Sequence, residues 1–229
     1  MLIDLIRGQL SFGSAVAEVL AILAVIFLVL PFHEWAHAFT ALKLGDTTVR
    51  DRGRLTLNPI AHIDPFGALA LLLLGFGWAK PVPVDPRRFK NPRVGMAIVA
   101  LMGPVANIVA AIVGGLIYYA LYAFAGGFMG TDVGSYVALF LSFYVTVNVS
   151  LAVFNLLPIP PLDGSKILFL FLPDRAVQWF YRYQQIISFL LIALLWVGVL
   201  RVPLSFLSSK LLDAVSFISS LPFRAFLSI

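Results

Sequence analysis

Apolar stretches that a soluble fold could not bury constrain this chain more than any other feature. Five stretches occupy residues 14–44, 66–78, 94–124, 136–157 and 186–200, and residues 202–221 form a further partial or amphipathic segment. Hydrophobic residues make up 61% of the 229 positions and charged residues 12%, against roughly 45–50% and about 25% in soluble domains. Lipid must cover part of such a chain, and a backbone in lipid satisfies its own hydrogen bonds by forming helices. The sequence therefore predicts an all-α polytopic membrane protein, a bundle of about four to six transmembrane helices.

Basic residues in two loops predict the orientation of the bundle. One group follows the first stretch and the other precedes the third: Lys43, Arg50, Arg52 and Arg54, then Lys80, Arg87, Arg88, Lys90 and Arg93. The positive-inside rule places both loops in the cytoplasm. Because an even number of crossings must join them, we expect residues 66–78, loosened by Gly75 and Gly77, to be re-entrant or packed at the cytoplasmic face. Loops or a small hairpin are expected elsewhere in residues 49–90.

Charge, cysteine content and the N-terminus exclude several other classes. The net charge of +5 is explained by these loops, and no basic stretch interleaved with aromatic residues indicates nucleic acid. The absence of cysteine excludes disulfides, thiol catalysis and cysteine-ligated zinc. The N-terminal sequence MLIDLIRGQL predicts no cleaved signal peptide, because positive charge does not lead a short apolar run with a small-residue cleavage site.

An HExxH sequence, His33-Glu34-Trp35-Ala36-His37, lies inside the first apolar stretch. Residues i and i+4 share one helical face, so both imidazoles can reach one ion, and Glu34 can accept a proton from a metal-bound water. The alternative is that these groups hydrogen-bond to neighbouring helices or extend to the interface. His33 is ten residues from Lys43, about 15 Å of helix, which is too deep for a histidine to reach the interface. A glutamate in a span also costs about 2.5–3.5 kcal/mol, which favours a functional role.

A third ligand is needed, because a catalytic zinc has three protein ligands and one open position. The candidates are His62, the only other histidine, and Asp163. Asp163 follows three prolines within four positions that end the fourth stretch, and Gly164 allows a tight turn that can aim its carboxylate back at the metal. Asp163 is also predicted to lie on the same side of the membrane as the end of the HExxH helix. Spacing therefore favours Asp163 and leaves His62 open.

Four motifs together resemble the site-2 protease family of intramembrane zinc metalloproteases, in its small branch without PDZ or CBS domains. They are the HExxH sequence, Leu57-Asn58-Pro59 with His62-Ile63-Asp64-Pro65, Gly103-Pro-Val-Ala-Asn107, and Asn155 with Pro158 and Leu162-Asp163-Gly164, spanning residues 32–164 in the family's order.

The resemblance implies a site. His33, His37 and Asp163 would ligate one Zn²⁺, Glu34 would be the general base, and Asn155 would donate to the carbonyl oxygen of the scissile bond. The alternative for Asn155 is hydrogen bonding between helices. Gly103 and Asn107 are expected to combine close helix packing with substrate positioning. Residues 1–229 would form one domain, with a catalytic core at about 14–172 and accessory membrane segments at about 173–229.

The implied activity is that of an endopeptidase that cuts in or near the transmembrane helices of membrane proteins, in regulated intramembrane proteolysis. It would be a multi-pass protein of the cell membrane with its active site facing the cytoplasm. Substrate choice would rest on membrane geometry, prior clipping or a regulatory membrane partner. An inactive homologue that binds membrane proteins, a metal transporter and a zinc protease of another class remain alternatives. Glu34 argues against the first, and the gathering of polar groups at one site argues against the second.

Overall fold

The computed structural model describes residues 12–74 and 79–227, so the expectations for the N-terminal decapeptide and for Gly75 and Gly77 fall outside the described residues. Four helical segments in the described part are long and apolar enough to cross a membrane: Val19–Lys43, Pro92–Phe124, Asp132–Asn155 and Arg201–Phe226. A fifth is added if a bent pair, Asp174–Arg182 with Gln184–Val197, counts as one span. The prediction of an all-α polytopic membrane protein is confirmed.

The first span is interrupted just ahead of the HExxH sequence. Helix α1 (Phe12–Ala24) leads through a π-helical turn (Val25–Val29) into α2 (Leu30–Lys43). Pro31 has no N–H, and its ring crowds the carbonyl four residues earlier, so the regular ladder cannot pass through it. The chain instead widens, and the Leu30 N–H donates to the carbonyl of Val25, five residues back. This turn sets the rotation at which α2 presents its histidines.

Short elements connect the first span to the next. They are α3 (Thr48–Asp51), α4 (Pro59–His62), α5 (Pro65–Leu74) and a 3₁₀ turn (Pro86–Arg88). The described α5 has 10 residues, about 15 Å of helix, and the rest of the segment that was expected to be re-entrant, residues 75–78, lies outside the described residues. Instead of a hairpin, the described residues hold one antiparallel bridge, between Ile63 and Ala79. The fully buried Asp46 ties this region together, because its Oδ2 accepts the N–H of Asp85 at 2.7 Å.

The central helix of the bundle is α6 (Pro92–Phe124), which packs against α2 on one side and, on another, against α8 (Asp132–Asn155). The short α7 (Gly126–Met129) joins α6 to α8. Small side chains allow the helices to approach closely: a Cβ at Gly114 would lie 2.7 Å from the Tyr144 ring. Such small-residue contacts replace the hydrophobic effect as the basis of helix association in lipid.

The described C-terminal residues form five further α-helices and a 3₁₀ turn: α9 (Gly164–Leu168), α10 (Asp174–Arg182), α11 (Gln184–Val197), α12 (Arg201–Ser220), the 3₁₀ turn (Leu221–Phe223) and α13 (Arg224–Leu227). Arg93, at the start of α6, pairs with Asp174 at the start of α10. The region that the sequence indicated as a partial or amphipathic segment forms the 20-residue α12. It joins the bundle, because Val215 packs in one cluster with Ala111 and Val145.

Candidate active site

The HExxH histidines of α2 meet the aspartate that follows α8. His33 and His37 are both buried, and their Nε2 atoms lie 3.0 Å apart. Asp163 Oδ2 is 3.4 Å from His33 Nε2 and 3.3 Å from His37 Nε2. Three potential ligand atoms, from positions 33, 37 and 163, thus converge on one point.

Gly164 explains how the chain returns Asp163 to the histidines. After α8 the chain turns through the proline-rich segment, and Asp163 stands just before α9. A Cβ at Gly164 would lie 2.5 Å from the carbonyl oxygen of Leu157, so only glycine fits where the turn folds back on the end of α8. The close approach, rather than a positive φ, is what requires glycine here.

The two histidines are oriented by acceptors on α6. His37 Nδ1 donates to the Val99 carbonyl at 2.7 Å, and His33 Nδ1 lies 3.2 Å from Asn107 Oδ1. With the proton held on Nδ1, each ring keeps the lone pair of Nε2 for a metal. Asn107 is 1% exposed and lies behind His33, outside the set of residues that line the cavity. The contact observed for Asn107 is therefore with His33, a candidate metal ligand.

Gly103 provides the space that the imidazoles occupy. A Cβ at this position would lie 2.5 Å from His33 Nε2 and closer still to His37 Nε2. Gly103 and Asn107 are one helical turn apart, so they present one face of α6 to both histidines. The sequence indicated that these residues share a face, but it could not show that this face meets α2 at the candidate metal ligands.

Glu34 opens onto a cavity of about 500 Å³ beside the cluster. Glu34 as a whole is 8% exposed, and the Oε2 atom of its carboxylate accepts the backbone N–H of Val82 at 3.1 Å. Val82 belongs to a non-helical segment, residues 79–84, that lines the same cavity with Pro81 and Pro83. This contact has no side-chain signature, so sequence reasoning missed it.

Asn155, the last residue of α8, also lines this cavity. Its Nδ2 donates to the carbonyl of Leu151 at 3.0 Å. This bond stays within α8, whereas the sequence-based alternative was a bond between helices. An amide nitrogen has two N–H groups, so a second one remains for a ligand in the cavity.

His62 stands apart from the cluster. It is 0% exposed, and its Nε2 donates to the carbonyl of Thr56 at 2.7 Å. The neighbouring Asp64 accepts the N–H groups of Phe66 and Gly67 and so begins α5. Both residues shape the loop before α5, and of the two candidates for the third ligand the structure brings only Asp163 to the histidines.

Lys166 is a cavity residue that sequence reasoning did not single out. It lies one helical turn after Asp163, and its Nζ stands 5.0 Å from the centre of the Tyr181 ring and 5.3 Å from that of Phe169. Burial lowers the pKa of the Lys166 ammonium, while the nearby Asp163 carboxylate acts in the opposite direction. A cation held by aromatic faces thus borders the cavity.

The ligand atoms fit a zinc ion. Ligands at about 2.0–2.1 Å in a tetrahedral site lie about 3.3 Å from one another, and the three distances here are 3.0, 3.3 and 3.4 Å. Asp163 Oδ2 is buried without a hydrogen-bond donor among the described residues, which is costly for a carboxylate oxygen unless a cation satisfies it. Two histidines and a carboxylate form a usual donor set for catalytic zinc.

Comparison with known proteins supports this interpretation. A family model described as Peptidase family M50 matches residues 130–198, which include Asn155 and Asp163 but not the HExxH sequence. The chain is 44% identical over 146 residues, 63% of its length, to "Putative zinc metalloprotease YwhC" of Bacillus subtilis. It is 34% identical over 156 residues, 66% of its length, to "Putative zinc metalloprotease Rip2" of Mycolicibacterium smegmatis. With Rip2 of Mycobacterium tuberculosis the identity is 31% over 141 residues, 59% of the chain.

These matches span between half and two thirds of the relatives' own lengths. The aligned parts cover 66% of YwhC, 57% of the M. smegmatis Rip2 and 51% of the M. tuberculosis Rip2. No solved structure matches the chain.

Proposed function

Because this chain belongs to peptidase family M50, we propose that it is a zinc-dependent endopeptidase that cuts membrane proteins in or near their transmembrane helices. One observation carries the proposal. His33, His37 and Asp163 converge beside Glu34 in a cavity that residues of three candidate membrane spans line. The names of two relatives, "Putative zinc metalloprotease YwhC" and "Putative zinc metalloprotease Rip2", agree with the chemistry of this donor set.

In the proposed mechanism, Glu34 is the proton carrier. Bound zinc would supply a water of lowered pKa and polarisation of the scissile carbonyl. Glu34 takes a proton from the attacking water and later gives it to the leaving amine, as a general base and then a general acid. The N–H of Val82 holds one oxygen of Glu34, so the other is free to face the water. This contact fixes the carboxylate without making it a ligand.

Asn155 is proposed to stabilise the negative charge that develops on the substrate carbonyl oxygen. One N–H of its amide is taken by Leu151, and this bond restrains the side chain at the cavity wall. The remaining N–H is the group that would donate to the oxyanion. A preorganised donor of this kind typically contributes about 100–1,000-fold to the rate.

The proposed substrate is a transmembrane segment that unwinds locally. Peptide bonds within a helix in lipid are protected by the helix's own hydrogen bonds, so the helix must unwind locally before water can attack a peptide bond. The cavity is bounded by α2, α6, α8, residues 79–84 and residues 161–166. The basic loops around these elements favour a cytoplasmic opening of the site.

The test is cleavage of a panel of single-span model proteins by the purified protein in detergent with zinc. Glu34→Gln is the matched variant, since it keeps the size of the side chain but cannot accept the proton. We expect cutting within or near the span that falls at least about 100-fold in Glu34→Gln, with zinc content unchanged. His33→Ala should lose zinc and activity together. Equal cleavage by wild type and Glu34→Gln would overturn the mechanism, and retention of zinc by His33→Ala would overturn the ligand assignment.

A further inference from the structure

Helix α12 carries a line of exposed residues on the side opposite its packing against α6 and α8. Phe206, Lys210, Asp213 and Phe217 follow one another at spacings of four, three and four, and all are exposed. Phe206 is 60% exposed and Phe217 54%, although the guanidinium of Arg224 lies over one face of the Phe217 ring, 4.5 Å from its centre. Val215 and others on the opposite side of the same helix are buried in the bundle. We call these four residues the α12 seam.

The two charges of the seam lie near mid-depth in the bundle. Val215 packs with Ala111 and Val145, which lie in the middle parts of α6 and α8. Asp213 lies two residues before Val215, and Lys210 lies five residues before Val215. These separations are about 3 Å and 7.5 Å along the helix axis. Both charged groups are therefore placed in the central part of a candidate membrane span.

α12 runs in the same direction as α6. Ser219 donates to the carbonyl of Ile112, and just beyond the end of α12 the ring of Phe223 contacts that of Phe124, the last residue of α6. The C-terminal end of α12 therefore lies toward the same membrane face as the end of α6. This orientation fixes how a second α12 could approach the first.

Lipid is a poor cover for this seam. Ionised side chains within a membrane span are costly, and they normally face protein or a water-filled space. Within residues 12–74 and 79–227, no opposite charge lies within 4 Å of Lys210 or Asp213. No residue of α12 lines the catalytic cavity described above, so that cavity does not explain the charges.

We propose that the α12 seam is the interface between two copies of this chain. Two copies in one membrane have the same orientation, so their two-fold axis is parallel to the membrane normal and the two α12 helices are parallel. Residues spaced by four and three form the core of a two-stranded parallel coiled coil. The seam thus has the spacing that a paired helix requires.

The charges make the seam complementary to itself. Lys210 and Asp213 are about 4.5 Å apart along the axis, a distance that a flexible lysine side chain spans. Each lysine reaches the aspartate of the other copy, so two reciprocal ion pairs form and the four charges sum to zero. Phe206 and Phe217 pack against their equivalents on either side and separate the pairs from lipid. A second copy supplies all the required groups, which is why it is favoured over an unrelated helix.

Cysteine crosslinking tests the proposal without background crosslinks from native thiols, because the chain has no native cysteine. Phe206→Cys places a thiol on the seam, and Leu207→Cys places one at nearly the same depth on another exposed side of α12. After mild oxidation of membranes that contain purified, reconstituted protein, we expect a disulfide-linked dimer at least about tenfold more abundant for Phe206→Cys. Equal yields for the two variants would refute the seam.

Charge exchange tests the ion pairs. In the Phe206→Cys background, Lys210→Asp or Asp213→Lys alone should reduce crosslinking at least about tenfold, and the double exchange K210D/D213K should restore it. Zinc content identifies variants that have lost the fold. The double exchange and the cysteine pair decide the question even if a single exchange misfolds. Crosslinks to another protein in cells, with none between purified copies, would overturn the proposal of a second copy.

Discussion

Replacing Gly103 by alanine directly tests how closely α6 packs against the candidate metal ligands His33 and His37. The added Cβ would lie 2.5 Å from His33 Nε2, whereas non-bonded atoms prefer about 3.5 Å. One of the partners must therefore move by about 1 Å. A zinc site tolerates ligand distances only within about 0.2 Å of the ideal. We expect zinc affinity to fall at least about 100-fold, or about 2.7 kcal/mol.

The measurement is zinc stoichiometry in a competing chelator, determined by metal analysis of the purified protein. Gly127→Ala is the control, because a Cβ at that helical glycine meets nothing within 4 Å. Melting temperatures of the metal-free proteins would separate a local loss of zinc from general unfolding, since overpacking alone costs about 1–3 kcal/mol. If Gly103→Ala bound one zinc as tightly as the control, the described packing of α6 against the histidines would be wrong.

Three further predictions concern contacts around the site. Asn107→Ala should weaken zinc binding about 10–100-fold, because His33 loses the group that orients it; Asn148→Ala, another buried asparagine, is the control in the same chelator titration. Val82→Pro removes the N–H that holds Glu34 and should slow substrate cleavage about tenfold at unchanged zinc content, whereas Val82→Ala keeps that N–H and the wild-type rate. Gly115→Val would press on Ser219 of α12 and should lower stability to denaturant by about 1–3 kcal/mol without loss of zinc; unchanged stability would contradict the packing of α12 on α6.

Sequence reasoning could reach the parts of the site that depend on local geometry. His33 and His37 share a helical face at any i, i+4 spacing, and Glu34 lies beside them without tertiary information. The proline-rich turn before Asp163 indicated a chain reversal that could bring its carboxylate back to the HExxH helix. The membrane class followed from composition, because no soluble fold of this size could bury so much apolar surface.

Features that depend on which helix faces meet could not be reached in this way. The acceptor role of Asn107 requires α6 to turn one particular face toward α2, and periodicity along one helix does not determine this rotation. The bond from Val82 to Glu34 uses a backbone N–H that every residue except proline has. Where loops or a small hairpin were expected, the described residues form one bridge, and Pro81 and Pro83 on the returning segment lack the N–H groups that a longer ladder needs.

Prolines lie inside two membrane helices close to the cluster. The π-helical turn (Val25–Val29) lies directly ahead of Pro31, which has no N–H to continue the regular ladder. Pro104 lies inside α6, which is helical from Pro92 to Phe124, and it has no N–H for the carbonyl of Ala100. The carbonyl of the preceding residue, Val99, accepts the Nδ1–H of His37. A metal-binding histidine needs an acceptor that fixes its tautomer, and here a backbone carbonyl supplies it. α6 therefore contributes to the site through its main chain as well as through the side chain of Asn107.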